Sequence, residues 1–305
     1  MIGIVFALIA TLIIPVAVMA MLEPSLYKYA PKVENYRGMM VYYGLGIVWF
    51  VWLVSFWAGL QLLTVLNLET PFWIEYLKPL SIVLAGTCAF GMFDDWAGNR
   101  QIKGFKGHLR ALLRGRITTG GLKFLGVGFL SLLLAISLYF DGAGSLLKVV
   151  LVTCVVALGA NTLNLFDLRP GRAGKVYLLG LVLAFICIIF GGMLPKFDWP
   201  GLVALALAAL GPLVAIWRFD LRERGMLGDA GANPLGVFLG FMFASSLPLW
   251  ALATVAVVLA AANLLSERVS FTKIIAGNKL LSVLDELGRV KNKQQANLFD
   301  QEVGR

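Results

Sequence analysis

Charged residues are scarce in this sequence. Lys, Arg, Asp and Glu together make up 14% of its 305 residues, whereas soluble globular domains contain about 25%. Hydrophobic residues account for 59%, and they fall into long uninterrupted runs. This composition excludes an ordinary water-soluble domain and indicates an integral membrane protein.

Cysteine and histidine are rarer still. The three cysteines, Cys88, Cys154 and Cys187, each stand alone in an apolar run, and His108 is the single histidine. The sequence contains no Cys-x-x-Cys pair and no Cys/His cluster, so it supports neither a disulfide framework nor a zinc site. We expect the thiols to be buried and chemically inert.

The apolar runs have the lengths that transmembrane helices need. A hydrocarbon core of about 30 Å is crossed by roughly 20 apolar residues in an α-helix. We therefore predict an all-α fold, a polytopic transmembrane helical bundle with about nine spans, within a range of about eight to ten. The predicted spans lie near residues 2–22, 39–67, 72–93, 120–140, 146–166, 176–195, 200–217, 232–247 and 248–266. The run 39–67 exceeds one perpendicular span, so we expect it to tilt or to emerge from the bilayer as an amphipathic end.

Lysine and arginine mark one side of the predicted bundle. Of the 26 cationic residues, 22 lie in the odd-numbered loops and the C-terminal tail. Three others, Lys78, Lys148 and Lys196, lie in the even-numbered loops, and Lys123 lies just inside a span. Because cytoplasmic loops carry an excess of Lys and Arg, the N-terminus is predicted outside and the tail in the cytoplasm. Cations that face anionic headgroups also account for the net charge of +9 without a nucleic-acid partner.

The pattern divides the chain into a transmembrane domain at 1–266 and a cytoplasmic tail at 267–305. In the tail, apolar residues recur at helical spacing: Ile274, Ile275, Leu280, Leu281, Leu284 and Leu287. Mixed with charges of both signs, this periodicity predicts an amphipathic helix at the membrane interface.

Polar residues gather at the cytoplasmic ends of the predicted spans. Asp94 and Asp95 close the third span, and Lys123 lies a few residues inside the fourth. Acidic residues at a helix C-terminus oppose the helix dipole, and adjacent carboxylates repel each other unless a cation lies nearby. A lysine inside a span likewise needs an anionic partner. The alternative for the two aspartates is a solvated helix end.

The predicted loop 94–119 is rich in cations, glycines and hydroxyl groups. Lys106 and His108 lie in its Gly-Phe-Lys-Gly-His-Leu-Arg segment. Exposed backbone N–H groups beside Lys and Arg favour phosphate binding. A loop that contacts lipid headgroups, with a solvated histidine, is the alternative.

Two further polar elements lie on the same predicted face. Asn161 and Asn164 share one face of the fifth span at i,i+3 spacing, and Asp167 follows them. Amides in a span need hydrogen-bond partners, so they either bind a ligand or join neighbouring helices. Asp229 opens the eighth span in Gly-Asp-Ala-Gly-Ala-Asn-Pro, where a helix N-cap is the alternative to a site role.

These elements come from four separate regions of the chain and converge on one predicted membrane face. Asp94, Asp95 and Asp229 would there confront a basic, glycine-rich loop. Such a set is what magnesium-assisted phosphoryl transfer at a membrane surface needs.

In their order along the chain, the motifs resemble those of the polyprenyl-phosphate N-acetylhexosamine-1-phosphate transferase superfamily, which includes phospho-N-acetylmuramoyl-pentapeptide transferase. The similarity covers most of the chain. Phe93-Asp94-Asp95 resembles the family's paired aspartates, and Gly120-Gly121-Leu122-Lys123 resembles the lysine-bearing start of the next span. Asn161-x-x-Asn164-x-x-Asp167 resembles its N-x-x-N-x-x-D element, and the segment 228–236 resembles its G-D-x-G-S-x-x-L-G element.

The resemblance implies transfer of a sugar-1-phosphate from a UDP-sugar to undecaprenyl phosphate, with release of UMP, during cell-envelope synthesis. The implied cofactor is Mg²⁺, with Mn²⁺ as an alternative. The implied location is the bacterial plasma membrane. The implied partners are the polyprenyl phosphate lipid, the sugar nucleotide, the membrane and a second copy of the chain.

The resemblance also implies a role for each matching residue. Asp229 and Asp94 would bind the metal, Asp95 would complete the metal and lipid-phosphate site, and Lys123 would hold a phosphate. The implied substrate-binding residues are Asn161, Asn164, Asp167, Lys106 and His108.

The sequence departs from the family pattern at several places. It has no histidine after His108, where the family carries a histidine-rich element in its last inner loop, and Ala232 replaces the motif serine. Segment 167–172 lacks the second carboxylate of the family's D-G-x-D-G element and adds two arginines. Two hypotheses follow: a divergent transferase, or a non-catalytic relative that binds polyprenyl phosphate or a cell-envelope partner. A transporter is disfavoured, because the charged residues gather at one surface and not at the midplane.

Overall fold

A computed structural model describes residues 2–68, 73–98, 104–191 and 199–289. Its helices are α1 (Ile2–Tyr29), α2 (Leu45–Val65), α3 (Ile74–Ala97), α4 (Gly104–Leu113), α5 (Thr119–Tyr139), α6 (Leu146–Phe166), α7 (Arg172–Gly191), α8 (Trp199–Leu221), α9 (Gly228–Ser246), α10 (Leu249–Ser266), α11 (Phe271–Gly277) and α12 (Lys279–Glu286). Three short strands accompany them: β1 (Lys32–Glu34), β2 (Met40–Tyr43) and β3 (Gly225–Met226). The chain is therefore almost entirely helical where it is described.

Eight of these helices are long and apolar enough to cross a membrane, namely α1, α2, α3, α5, α6, α7, α8 and α10. This confirms the predicted all-α, multi-pass class. The predicted span 232–247 lies on α9, which is not among the eight. Polar residues near its start, including Asp229 and Asn233, make α9 less apolar than its neighbours.

The first residues of the predicted span 39–67 are a strand, so this part of the prediction was wrong. Val41 of β2 pairs with Val33 of β1 in antiparallel register, and Tyr42 of β2 pairs with Gly225 of β3 in parallel register. The apolar sequence of β2 reflects burial within this small sheet, since Val41 and Tyr42 are both buried. Gly44, at φ +147°, then turns the chain into α2.

Other predicted spans differ from the helices mainly at their ends. The predicted span 2–22 is shorter than α1, which continues to Tyr29. Helix α1 also includes a π-helical segment at Leu8–Ile13. Helix α3 continues past the predicted boundary to Ala97, so both Asp94 and Asp95 lie within its last turns. Polar and charged residues at these ends are helical because the backbone hydrogen bonds of the last turns do not depend on hydrophobic side chains.

Helix α9 lies at the centre of the bundle, with almost every side chain buried. Its neighbours approach closely where both helices carry small residues. A Cβ atom on Gly91 of α3 would lie 2.5 Å from the backbone N of Ala230, and one on Gly159 of α6 would lie 2.9 Å from the carbonyl oxygen of Gly236. Small residues permit this separation between membrane helices, so α3 and α6 flank the start of α9 at short range.

The segment between α8 and α9 is tied to the N-terminal part of the chain. Arg224 Nε lies 2.7 Å from Glu23 Oε1, and the Glu23 side chain is only 4% exposed. The neighbouring Glu223 accepts hydrogen bonds from Asn35 Nδ2 and Tyr36 OH, at 3.1 and 3.2 Å. Together with the pairing of β2 and β3, these bonds fix the chain that leads into α9.

The tail folds back onto the start of α7 through its polar face. Arg172 donates from Nε to Asp285 Oδ1 and from a terminal nitrogen to Oδ2, at 2.7 and 2.8 Å. Arg289 donates to Asp285 Oδ1 at 2.6 Å and to the carbonyl oxygen of Pro170 at 2.8 Å. The predicted amphipathic segment is thus helical in α11 and α12, while residues 290–305 lie outside the described residues.

Asp285→Asn should release the tail from α7. Burial alone would raise the pKa of Asp285, but the hydrogen bonds and charges of Arg172 and Arg289 outweigh it and hold that pKa below its usual value. The carboxylate therefore stabilises docking above its unfolded pKa, and this contribution is lost as pH falls through the lower folded pKa. We expect the variant to be cleaved faster by trypsin after Lys273 and Lys279 at neutral pH, with Asp141→Asn in an exposed loop as the control. Equal cleavage rates in the variant and the parent chain would contradict this role.

Candidate functional site

Three of the predicted site residues meet at one end of the bundle. Lys123 Nζ lies 2.7 Å from Asp94 Oδ2, and it also donates to Asp229 Oδ2. These side chains come from the last turns of α3, the first turns of α5 and the first turn of α9. Their exposed fractions are 16% to 18%. We call Asp94, Lys123 and Asp229 the Lys123 cluster; it is partly buried and reachable from the surface.

The start of α5 is held by a side-chain cap. Thr118 Oγ1 accepts a hydrogen bond from Gly121 N–H at 3.0 Å, which satisfies one of the unpaired donors of the first turn. His108, on α4, shares a 2.7 Å hydrogen bond between its Nδ1 and the same hydroxyl group. Its ring therefore supports the cap that orients the first turns of α5, and Lys123 with them.

Asp95 lies beside the cluster but is engaged differently. Its Oδ1 accepts the backbone N–H of Asp229, and its Oδ2 accepts the N–H of Ala230, both at 3.0 Å. A carboxylate that binds two free N–H groups of a first turn also favours the helix dipole. Asp95 thus caps α9 from α3 and fixes the backbone that carries Asp229.

Asp167 holds the preceding residue of the same segment. Its Oδ2 accepts the N–H of Gly228 at 2.9 Å, and its side chain is buried. Burial raises the pKa of Asp167 well above its usual value, and the charge of Asp220 adds to this effect against the lowering influence of the Gly228 N–H. Asp220 itself accepts the N–H of Gly171 at 2.7 Å. Asp167 therefore connects the turn after α6 to the start of α9, and Asp220 connects the same turn to α8.

Gly228 needs to be glycine for two reasons. Its φ of +63° is in the left-handed region, which side chains with a Cβ atom disfavour. A Cβ atom would also lie 2.6 Å from Asp95 Oδ2. The glycine of the Gly-Asp pair thus allows the Asp95 carboxylate to approach the backbone of α9.

Of the two asparagines of α6, Asn161 binds a side chain outside this site. Asn161 Nδ2 donates to Asn263 Oδ1 on α10, and Asn263 Nδ2 donates to Thr162 Oγ1 at 2.8 Å. This is the helix-joining arrangement that the sequence left open for Asn161. Asn164 is half-buried, and its carbonyl oxygen accepts the N–H of Asp167 at 3.0 Å. Lys106 lies on α4, and its side chain is outside the described part of the chain.

Two residues that shape this region, Asp220 and Asn263, are not among the predicted site residues. The predicted span 200–217 ends before Asp220, although Asp220 lies within α8. Asn263 lies in the apolar run of the predicted span 248–266. A lone carboxylate or amide at the end of a membrane helix is a signal for a partner, and this signal could have identified both residues but not their partners.

Two carboxylates of the site fit one hard cation. Asp94 and Asp229 converge on the same point, the Lys123 ammonium, and carboxylate oxygens are preferred by Mg²⁺, which keeps several waters and uses one or two protein carboxylates. Both oxygens of Asp95 already accept a backbone N–H group, so we assign Asp95 to the cap of α9 and not to the pair that faces Lys123. Among the described residues, no group of three His, Cys, Asp or Glu side chains is arranged to hold a metal ion. A cation here would accordingly need oxygen ligands from water or phosphate.

No protein-family model matches the chain, and a comparison with curated proteins gave no significant match. The likeness to phospho-sugar transferases consequently depends on the motifs and on the geometry of the residues within them.

Asp95→Ala should lower the stability of the bundle. The change leaves the N–H groups of Asp229 and Ala230 without their acceptor, which costs about 1–3 kcal/mol for a buried group. Thermal unfolding of the detergent-solubilised chain measures this loss, with Asp141→Ala as a control at an exposed loop aspartate. If the two variants unfold at the same temperature, Asp95 does not cap α9.

Lys123→Met should expose the repulsion between Asp94 and Asp229. The thioether preserves side-chain length but removes the cation that both carboxylates contact, so we expect a loss of about 1–3 kcal/mol in a metal chelator. Added Mg²⁺ should recover part of that loss, since a divalent cation satisfies converging carboxylates. The matched control is Lys78→Met, which breaks an exposed pair with Glu75. A variant whose unfolding temperature is unchanged in chelator, or unaffected by Mg²⁺, would contradict this account of the cluster.

Proposed function

We propose that this chain is a membrane phospho-sugar transferase. It moves a sugar-1-phosphate from a UDP-sugar to a polyprenyl phosphate such as undecaprenyl phosphate. The observation that carries the proposal is the Lys123 cluster, in which motif residues separated by up to 135 positions meet with their side chains reachable from the surface. Their identities and order match the motifs of the superfamily named above.

The proposal includes an orientation. The N-terminus lies outside, the tail lies in the cytoplasm, and α9 serves as a ninth span within the bundle. The Lys123 cluster then lies at the cytoplasmic face of a bacterial plasma membrane, where nucleotide sugars are made and where the polyprenyl phosphate headgroup is exposed. The Lys and Arg distribution along the sequence supports this orientation.

The chemistry requires little proton transfer. A phosphate monoester has a second pKa near 6, so the lipid phosphate is already a nucleophile at neutral pH. One of its oxygens forms a bond to the phosphorus that carries the sugar. The bond from that phosphorus to the bridging oxygen of the diphosphate breaks, and UMP leaves with that oxygen. When bound, Mg²⁺ supplies charge neutralisation on the diphosphate.

The residues of the site would divide this work. Asp94 and Asp229 would hold the cation. The Lys123 ammonium, which lies between them, would then leave the two carboxylates and pair with a phosphate oxygen. Asp95 would act as a positioning residue, because it fixes the backbone N–H groups of Asp229 and Ala230. Asp167 would do the same through Gly228. Prior alignment of this kind is the main protein contribution to phosphoryl transfer.

The geometry modifies the roles implied by the resemblance. Asn161 joins α6 to α10 through Asn263, so its part in nucleotide binding is not carried into the proposal. His108 supports the α5 cap through Thr118 and would influence substrate only through the position of Lys123. Asn164 and Lys106 stay as proposed nucleotide-side residues.

The test follows UMP release by the purified full-length chain with undecaprenyl phosphate, Mg²⁺ and a panel of UDP-sugars. We expect UMP formation that requires both Mg²⁺ and the lipid phosphate. Asp229→Asn should reduce it by at least about 100-fold, the scale on which a transition-state charge partner acts. Asp141→Asn, a matched change at an exposed loop, should leave the rate unchanged.

Two results would oppose the proposal. Retention of full activity in Asp229→Asn would remove Asp229 from the mechanism. An inactive but folded chain that still binds undecaprenyl phosphate would instead identify a non-catalytic relative, the second hypothesis that the missing histidine-rich element left open. Binding of radiolabelled lipid phosphate to the detergent-solubilised chain separates this outcome from an unfolded sample.

A further inference from the structure

Helix α12 is amphipathic, and it packs on the rest of the chain with its polar face, unlike a surface helix of a soluble protein. The polar face contacts the rest of the chain, whereas the apolar face has no protein over it in the described structure. In a soluble protein, the apolar stripe of a surface helix faces the core. The sequence predicts an amphipathic helix in this region, but only the structure reveals which face is covered.

The covered face is fastened by charged groups. Asp285 receives two hydrogen bonds from Arg172 and one from Arg289, and its side chain is only 10% exposed. Lys175 Nζ adds a 2.6 Å hydrogen bond to the backbone carbonyl oxygen of Asp285, and Arg172 also reaches Thr272 Oγ1 at 3.0 Å. These bonds fix the rotation of α12 about its own axis, and therefore the direction of its opposite face.

The uncovered face is a continuous apolar stripe. Its members follow the i, i+3, i+4, i+7 spacing of one helix face. They are Leu280, Val283, Leu284 and Leu287, which are 69%, 60%, 50% and 66% exposed. Large apolar side chains that are this exposed, contiguous and rigidly oriented indicate an interaction surface.

The position of the tail identifies what covers the stripe. Helix α11 begins five residues after the membrane-length helix α10 ends at Ser266, and the ring of its Phe271 stacks on Phe166, the last residue of α6, with centroids 5.4 Å apart. Helix α12 is fastened at Arg172, the first residue of α7. The tail is therefore held at the level where three membrane-length helices end.

Exposed apolar side chains continue from the membrane-length helix into the tail. On α10, Leu264 and Leu265 are exposed, and they are followed by Val269, Ile274 and the α12 stripe. The surface of α10 faces lipid in any multi-pass arrangement, since only 11% of its apolar window is buried in the protein. Along the sequence, the stripe therefore follows a helix surface that would face lipid.

Charge around the stripe matches the same environment. Lys273 and Lys279 are exposed on α11 and at the start of α12, and Arg268 lies in the turn before them. Lysine and arginine near an anionic membrane surface each contribute about 1 kcal/mol of attraction, and their aliphatic stems can lie along the apolar boundary.

We propose that α12 is a membrane-surface binding element, whose Leu280–Leu287 stripe inserts at the boundary between headgroups and acyl chains of anionic phospholipids. The stripe enters the bilayer near the start of α7, and the Asp285 bonds hold it in that direction. Lys273 and Lys279 contact phosphate groups of the lipid. This proposal does not depend on the proposed transferase activity.

The test measures the depth of single residues in a bilayer. The full-length chain carries Cys88→Ala, Cys154→Ala and Cys187→Ala, and one new cysteine labelled with a nitroxide: Leu284→Cys, Leu287→Cys or, as the control on the flank of the same helix, Glu286→Cys. It is reconstituted into vesicles of phosphatidylcholine and phosphatidylglycerol in equal parts. Collision with molecular oxygen, which concentrates in lipid, is compared with collision with a water-soluble nickel chelate.

We expect the labels at positions 284 and 287 to collide several-fold more with oxygen than with nickel chelate. The label at position 286 should show the reverse preference. In vesicles of phosphatidylcholine alone, the oxygen-to-nickel collision ratios at positions 284 and 287 should move closer to the ratio at position 286. The reason is that the cations then lose their anionic partners.

Three outcomes would overturn the proposal. If nickel chelate reaches positions 284 and 287 as readily as position 286, the stripe lies in water. If neither reagent reaches them and the labels couple magnetically to each other, a second copy covers the stripe. If the two lipid compositions give equal values, the anionic headgroup part is wrong. Each labelled chain is first required to unfold at the temperature of the parent, and Leu280→Cys provides a third position on the stripe should one variant fail to fold.

Discussion

The first turn of α9 presents backbone N–H groups to carboxylates from two other helices or their adjoining turns. Gly228 donates to Asp167, while Asp229 and Ala230 donate to Asp95. A helix start inside a bundle has no water to satisfy these donors, so the carboxylates remove a large penalty and also favour the positive end of the helix dipole. The remaining features of the site depend on this arrangement, because it determines where Asp229 lies and leaves its side chain directed at Lys123.

This division of labour explains why so many aspartates gather at one end of a hydrophobic bundle. Two carboxylates, on Asp95 and Asp167, are used to hold backbone, and two, on Asp94 and Asp229, converge on a single ammonium group. Four unpaired carboxylates at this spacing would repel one another and resist burial. Paired in this way, the backbone-bound carboxylates provide rigidity, and the charges of Asp94 and Asp229 are balanced in part by the Lys123 ammonium.

The sequence predicts features that depend on composition or on position within a span, but not contacts between residues far apart in the chain. Membrane class follows from composition, and the meeting of Asp94, Lys123 and Asp229 follows from their equivalent positions at span ends. The capping role of Asp95 could not be predicted, because its partners lie 134 and 135 residues away and an N-cap is ordinarily local. Hydropathy misread β2 as membrane span because burial in a small sheet and burial in lipid select the same residues. Asn161 was ambiguous for a similar reason, since its partner Asn263 is 102 residues distant.

A chain of bonds links the tail to the same helix start. Asp285 binds Arg172 at one end of the turn after α6. Within this turn, Gly171 donates its N–H to Asp220. At the other end of the turn, Asp167 accepts the N–H of Gly228. Asp285 and Asp229 are thereby connected through the hydrogen bond from Arg172, the backbone of residues 167–172 and the hydrogen bond from Gly228 to Asp167. With the stripe of α12 inserted in lipid as proposed, the bilayer surface would help to set the position of the Lys123 cluster through these bonds.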